Sequence, residues 1–179
     1  DAWEYEDKMD RVLDTIERCP VPTIAAITGP CTGGGAAIAA CCDLRICDPG
    51  LKFGFPIART LGNTLSNANL SRLAALIGPA RVKDLIFTAR LAGAEEAVAI
   101  GLATEMVEDA AALASRTDEV ARLIAGHAPL TLYAVKEALR RIQPRLTSEE
   151  GEDLIVLCYT SNDFREGMEA YLNKRLPNW

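Results

Sequence analysis

Three consecutive glycines, Gly33-Gly34-Gly35, stand between a short uncharged run (residues 23–28) and a run of small apolar residues (36–42). A strand that turns through glycines into a helix leaves first-turn peptide N–H groups without an internal acceptor, at the positive end of the helix dipole. Such a turn can hold an anion, and the spacing limits which one. A phosphate-cradling G-x-x-x-x-G-K-[ST] loop needs a lysine after its last glycine, where Ala36 and Ala37 follow instead. A dinucleotide G-x-G-x-x-G turn fails because Gly29 and Gly33 are four apart, and because Asp43 and Asp48 lie too near the turn to meet a ribose. Two readings of the triplet remain. One is an oxyanion hole for a developing thioester or ester enolate, each N–H donor contributing about 3 kcal/mol. The other is a tight strand-to-helix crossing where no Cβ fits.

Other reactive side chains are sparse. His127 is the single imidazole and sits between Gly126 and Ala128-Pro129, which reads as a helix cap or surface position. Six cysteines (Cys19, Cys31, Cys41, Cys42, Cys47, Cys158) form no C-x-x-C pair, so zinc is disfavoured. They read as small hydrophobes in the core of a protein kept in a reducing cytoplasm. Asp43 and Asp48, the acids between Gly29 and Arg72, read as backbone-bonding groups. Arg59 reads as a surface arginine or as a partner for a carboxylate on an acyl group. The loop from Asn63 to Asn69 carries amides and hydroxyls able to orient water or an acyl chain, yet poor as bases.

The elements that must position these residues follow from periodicity. Met9, Val12, Leu13 and Ile16 recur at amphipathic-helix spacing and predict a helix ending near Cys19, before Pro20 and Pro22. Residues 23–28 predict a strand buried on both faces, 29–35 a tight loop, 36–42 a buried helix and 43–48 a second strand. Residues 54–71 have the turn chemistry of a long loop, leading into a helix carrying Leu70, Leu73, Leu76 and Ile77. Further helices are predicted from Pro79 to Phe87 and over 94–100, then a strand over 102–107. From Asp109 to Lys174, Gly126, Pro129, Pro144, Gly151 and Ser161-Asn162-Asp163 punctuate about four helices. The expectation is an α/β part over 1–108 and a helical part over 109–179.

Composition excludes some partners. The 179 residues are 49% hydrophobic and 25% charged, with 19 basic against 25 acidic side chains, giving a formal charge of −6. An acidic chain does not neutralise phosphates, so nucleic acid is disfavoured. No apolar run approaches the about 18 residues needed to cross a bilayer, and the sequence opens on acidic residues rather than a basic and apolar leader.

Four ordered segments then resemble the enoyl-CoA hydratase/isomerase (crotonase) superfamily. These are Cys19-Pro20-Val21-Pro22-Thr23-Ile24-Ala25-Ala26-Ile27-Thr28-Gly29, Cys31-Thr32-Gly33-Gly34-Gly35, Ala40-Cys41-Cys42-Asp43-Leu44-Arg45-Ile46 and Lys52-Phe53-Gly54-Phe55-Pro56. Downstream matches include Gly78-Pro79-Ala80-Arg81, Ala94-Glu95-Glu96-Ala97 and Ser161-Asn162-Asp163-Phe164-Arg165-Glu166-Gly167, so the likeness runs along the whole chain. The resemblance implies a ClpP-like spiral of βαβ units with a C-terminal helical trimerisation region. It also implies homotrimers or hexamers, and an acyl-CoA thioester as substrate with no other cofactor and no metal. It implies Gly34 as the second oxyanion donor beside Gly33, Lys174 as a lysine reaching the nucleotide end of CoA in a neighbouring subunit, and Tyr171 as an aromatic near it. A solvated tail lysine and a trimer-packing ring are the alternatives for those two.

Departures from the family pattern bear on the reaction. Where hydratases of the family carry two glutamates, this chain has Ala37 and Ile57, which cannot move a proton. The loop after Gly62 lacks the family's Pro-Gly-rich stretch. Relatives carry βαβ units before the helix that opens this chain, and these supply the first oxyanion donor, so the sequence is expected to be a fragment. The leading expectation is an acyl-CoA-processing enzyme that stabilises a thioester enolate. The alternative is a catalytically silent acyl-CoA-binding paralogue. A Clp-like serine peptidase would need His127 to reach Ser66 or Ser71.

Overall fold

The computed structural model describes residues 2–142 and 151–179, with the side chains of 2–6 left aside. Pro144 lies outside the described residues. Helix α1 (Ala2–Glu17) opens the chain and ends where the periodicity places it. It drives Leu13 fully into the core, whereas Val12, predicted on the same face, is 47% exposed.

The chain then alternates between two sheets. Strand β1 (Ile24–Ile27) is followed by β2 (Pro30–Thr32), helix α2 (Gly34–Cys41), β3 (Leu44–Cys47) and β4 (Lys52–Gly54). β1 and β3 pair in parallel in one sheet, with Ile24 opposite Leu44, and β2 and β4 pair in parallel in the other, with Thr32 opposite Gly54. Each turn of chain therefore gives one strand to each sheet and one helix between them, which is the repeat of a spiral. β6 (Glu105–Met106) joins the first sheet beside β3, and β5 (Ala92–Gly93) closes the second antiparallel to β4.

Several predicted boundaries are corrected. The 29–35 segment is not all loop, because Pro30–Thr32 finds β4 as a partner. β1 is not buried on both faces: Ala26 is exposed, since among the described residues β1 is an edge strand paired only with β3. The helix over the small residues starts at Gly34, two residues earlier than predicted. The 54–71 stretch contains α3 (Ile57–Thr60), and α4 (Asn67–Ile77) begins at Asn67, because the Ser66 hydroxyl accepts from the Asn69 amide and caps it. Of the strand predicted over 102–107 only Glu105–Met106 pairs, while Leu102 and Ala103 are buried outside it.

Helices α5 (Pro79–Phe87) and α6 (Ala94–Ala99) form as predicted. Four helices follow among the described residues: α7 (Ala110–Ala125), α8 (Pro129–Ile142), α9 (Glu152–Tyr159) and α10 (Asn162–Leu172). α7 packs on β1 and β3, and α9 packs on α1. The core joins Leu13, Phe53, Leu51 and Leu102 with the small residues of α2, and each fully buried large side chain contributes about 1.5–3 kcal/mol. α8 buries no side chain, and Leu130, Leu139 and Ile142 stand 80%, 63% and 76% exposed.

Candidate active site

The glycine triplet is set against β4 by one hydrogen bond: the Gly33 amide donates to the Gly54 carbonyl at 3.4 Å. Gly33 caps α2 at φ 54° and ψ −123°, a conformation open to glycine and strained for residues with a Cβ. Gly34 is the first residue of α2, exposed, and its amide belongs to the first turn, where no helix carbonyl lies behind it. A Cβ at Gly34 would meet nothing within 4 Å, so a steric need for glycine does not explain this position.

One turn into α2, the Ala37 amide donates to the Gly33 carbonyl at 3.0 Å, and its methyl is buried. Three residues beyond Gly54, Ile57 opens α3 and is buried in the same apolar cluster as Ala37 and Phe55. The pairing of β2 with β4 thus sets Gly33 against Gly54, with Gly34 and Ala37 following Gly33 on α2 and Ile57 following Gly54 on α3. Tyr171 and Lys174 lie apart at the end of α10. Tyr171 is 69% exposed, and Lys174, at φ 51°, uses its backbone amide to cap the Tyr171 carbonyl at 3.2 Å. Among the described residues neither bonds to the triplet. α10 does reach the loop beyond α3: Gly167 lies against the Leu61 carbonyl and Gly62 against the Asp163 backbone.

The acids near α2 are engaged in structure. Asp43 Oδ2 accepts from the Thr23 amide at 2.7 Å, the Thr23 hydroxyl at 2.9 Å and Lys136 Nζ at 2.6 Å. Asp48 accepts from the Thr28 hydroxyl and from the Gly50 amide. A polar network that sequence reasoning missed links α1 to α4: Ser66 Oγ donates to Asp10 at 2.8 Å, Arg72 Nε to Glu17 at 2.8 Å, and Arg72 Nη1 to Asn69 Oδ1 at 3.1 Å. Its bonds between α1 and α4 span 55 and 56 residues, so no local pattern announces it. Burial raises the Asp10 carboxyl above its ordinary value, against the lowering pull of Ser66 and Arg72.

The Ser66 hydroxyl is therefore a cap and a donor to a half-buried acid, while His127 is exposed past the end of α7. They form no nucleophile–base pair, which removes the Ser66 form of the peptidase reading. All six cysteines are free thiols. Burial pushes Cys41 up to about 12 and raises Cys31 and Cys47, so these act as apolar packing. Arg59 is exposed on α3, with no side-chain hydrogen bond or ion pair among the described residues. Among the described residues no helix is long and apolar enough to cross a membrane.

A spiral built this way, with a bare-amide helix start seated on its second sheet, is the frame of a known family. Residues 1–179 match the family described as Enoyl-CoA hydratase/isomerase. The chain is 35% identical over 182 residues to a crotonyl-CoA hydratase of Syntrophomonas wolfei, covering 100% of this chain and 69% of that protein. It is 34% identical to a short-chain-enoyl-CoA hydratase of Clostridium acetobutylicum, covering 94% of this chain and 64% of that one. Among solved structures, it superposes on methylmalonyl-CoA decarboxylase in complex with 2-nitronate-propionyl-CoA with a TM-score of 0.88 at 31% identity, over 98% of this chain and 68% of the other. The chain belongs to the enoyl-CoA hydratase/isomerase family and has the crotonase fold. It spans about two thirds of the length of these relatives.

Proposed function

We propose that this chain acts on acyl-coenzyme A thioesters by holding a developing enolate oxygen on the Gly34 amide. The observation that carries the reading is the start of α2, where an exposed first-turn N–H sits at the positive end of a helix, at a position whose glycine no steric contact requires. Gly33 sets the turn, Ala37 and Ile57 line the acyl end, and Tyr171 and Lys174 meet the nucleotide end across a subunit boundary. Coenzyme A enters as part of the substrate, and no further cofactor or metal is involved. The names of the relatives support the substrate class, since a hydratase and a decarboxylase of the fold both handle acyl-CoA.

Gly34→Pro tests the reading. Proline suits the first position of a helix and removes only the N–H. Turnover of the CoA thioester should fall about 10²–10³-fold while the fold persists, and Gly34→Ala, which keeps the N–H, should retain activity. A Gly34→Pro protein as active as its parent would end the proposal.

The alternative, a catalytically silent acyl-CoA-binding paralogue, draws on the buried apolar pair Ala37 and Ile57. Butyryl-CoA binding without turnover of any CoA thioester would favour it.

The working form proposed is a homotrimer, or a hexamer of two trimers, in a reducing cytoplasm. Residues 1–108 make the spiral core and 109–179 the oligomerisation region. The outward apolar side chains of α8 support this reading.

A further inference from the structure

We propose that the protein carries a second ligand site, for a small phosphate-type oxyanion, in the cavity where α1, α2, α4 and α8 meet. The cavity holds about 190 Å³, and its charged walls come from four separate stretches of chain: Glu17 on α1, Asp43 with Arg45 on the way into β3, Arg72 on α4, and Lys136 with Arg140 on α8. A water takes about 30 Å³ in the liquid, so the space accepts an ion of a few heavy atoms. It lies at the opposite end of α2 from Gly34, so it owes nothing to the thioester reading.

Charge and unmet donors decide the occupant. Four cations and two acids surround the cavity, in a chain whose formal charge is −6. Both acids are engaged: Glu17 accepts from Arg72 Nε at 2.8 Å, and Asp43 from Lys136 Nζ at 2.6 Å. Arg45 forms no ion pair among the described residues and spends Nε and Nη1 on the carbonyls of Leu102, Ala39 and Cys42. Arg140 holds Glu137 through Nε and Nη2, both at 2.6 Å, but shares that carboxylate with Arg141.

A guanidinium has five N–H donors, and here they are not used up. Among the described residues Nη2 of Arg45, Nη2 of Arg72 and Nη1 of Arg140 have no acceptor. Arg140 Nη1 is also shut off from solvent. A buried donor without a partner is an exception in folded proteins, and a bound ion or water is one of its usual accounts. The side chains are already closely held, with Arg72 9%, Lys136 11% and Arg140 15% exposed. Three planar forks and an ammonium around one space suit a tetrahedral oxyanion, whose several oxygens take donors from different sides, better than a single-point ion such as chloride. A doubly charged anion also balances the excess of two cations in the walls. Once bound, it ties Arg140 of α8 to Arg45 and Arg72 of the core.

Inorganic phosphate is titrated into the purified chain by calorimetry at fixed ionic strength, with chloride making up the balance and glycerol 3-phosphate titrated in parallel. Phosphate should bind saturably with a Kd of about 1 mM or tighter and raise the thermal midpoint by mass action. Arg140→Gln should weaken binding about 10–100-fold, the worth of one hydrogen bond to a charged group. Arg141→Gln is the control: it takes the same charge from the same Glu137, on a side chain 70% exposed and outside the cavity, and should bind like the parent. Butyryl-CoA binding should be unchanged in both variants. Binding of phosphate alone supports the site with the free ion as ligand, and binding of glycerol 3-phosphate, with or without phosphate, supports it with a phosphate ester as ligand. No saturable binding of either compound overturns the proposal and leaves water in the cavity. An Arg140→Gln protein that binds like its parent, or equal weakening by Arg140→Gln and Arg141→Gln, overturns it as well, since the ion then answers to surface charge.

Discussion

Gly33 donates its amide to the carbonyl of Gly54 at 3.4 Å, across the β2–β4 pairing, and this bond joins the turn that exposes Gly34 to the strand that delivers Ile57. The shape of the candidate site is thus a matter of backbone, and its chemistry is decided by which side chains the two ends of that bond carry forward.

Gly33→Ala tests the backbone half. At φ 54° and ψ −123° an alanine is strained although no atom crowds it, so the variant should lose about 1–3 kcal/mol of stability. Urea denaturation measures this. An unchanged midpoint would mean that the turn relaxes without cost.

Gly167→Ala should also destabilise, by overpacking. Its Cβ would lie 2.6 Å from the Leu61 carbonyl oxygen, so α10 must move off the loop beyond α3, at about 1–3 kcal/mol. Thermal unfolding of the variant beside Gly126→Ala, where the nearest contact is 3.4 Å, separates crowding from a general glycine effect.

Acid should release the C-terminal tail. The Arg175 guanidinium, with the Asn178 amide, holds the Glu166 carboxyl down from 4.5 to about 2. A depressed folded value contributes stability that is present above the unfolded value and lost as pH falls through the folded one. The window is therefore pH 4.5 down to about 2. Trp179 fluorescence should change across it, and Glu166→Gln should abolish that step. A Trp179 signal equally pH-dependent in the variant would contradict the assignment.

Charge placed on α8 should break the proposed assembly. Leu139 is 63% exposed and Leu130 80%, so Leu130→Glu with Leu139→Glu leaves the fold of one chain intact. Light scattering should then show a monomer for the variant and the proposed trimer or hexamer for the parent. An unchanged mass would move the interface elsewhere.

What could be read from the sequence was what local chemistry specifies. α1, α5 and α6 announced themselves by period, caps and proline, and the glycine triplet by its place between an uncharged run and a small-residue helix. β2 and α3 did not. Pro30–Thr32 becomes a strand only through Lys52–Gly54, 22 residues away, and a four-residue helix is too short to show a period. The Ser66–Asp10 bond spans 56 residues and was equally silent. At the site, Gly34 and the apolar identities of Ala37 and Ile57 were visible. The Gly33–Gly54 bond that joins their two segments was not, because it depends on which strands pair.

Arg45 lies at the other end of α2. Buried at 5% exposure, it donates to the carbonyls of Ala39, Cys42 and Leu102. A fixed cation on the tail carbonyls satisfies the negative pole of the rod whose head is left bare. It also bolts that tail to the segment entering β6. A rod anchored in this way is held from sliding along its axis, so under the proposed function the thioester oxygen would have to travel to the amide rather than the amide to it.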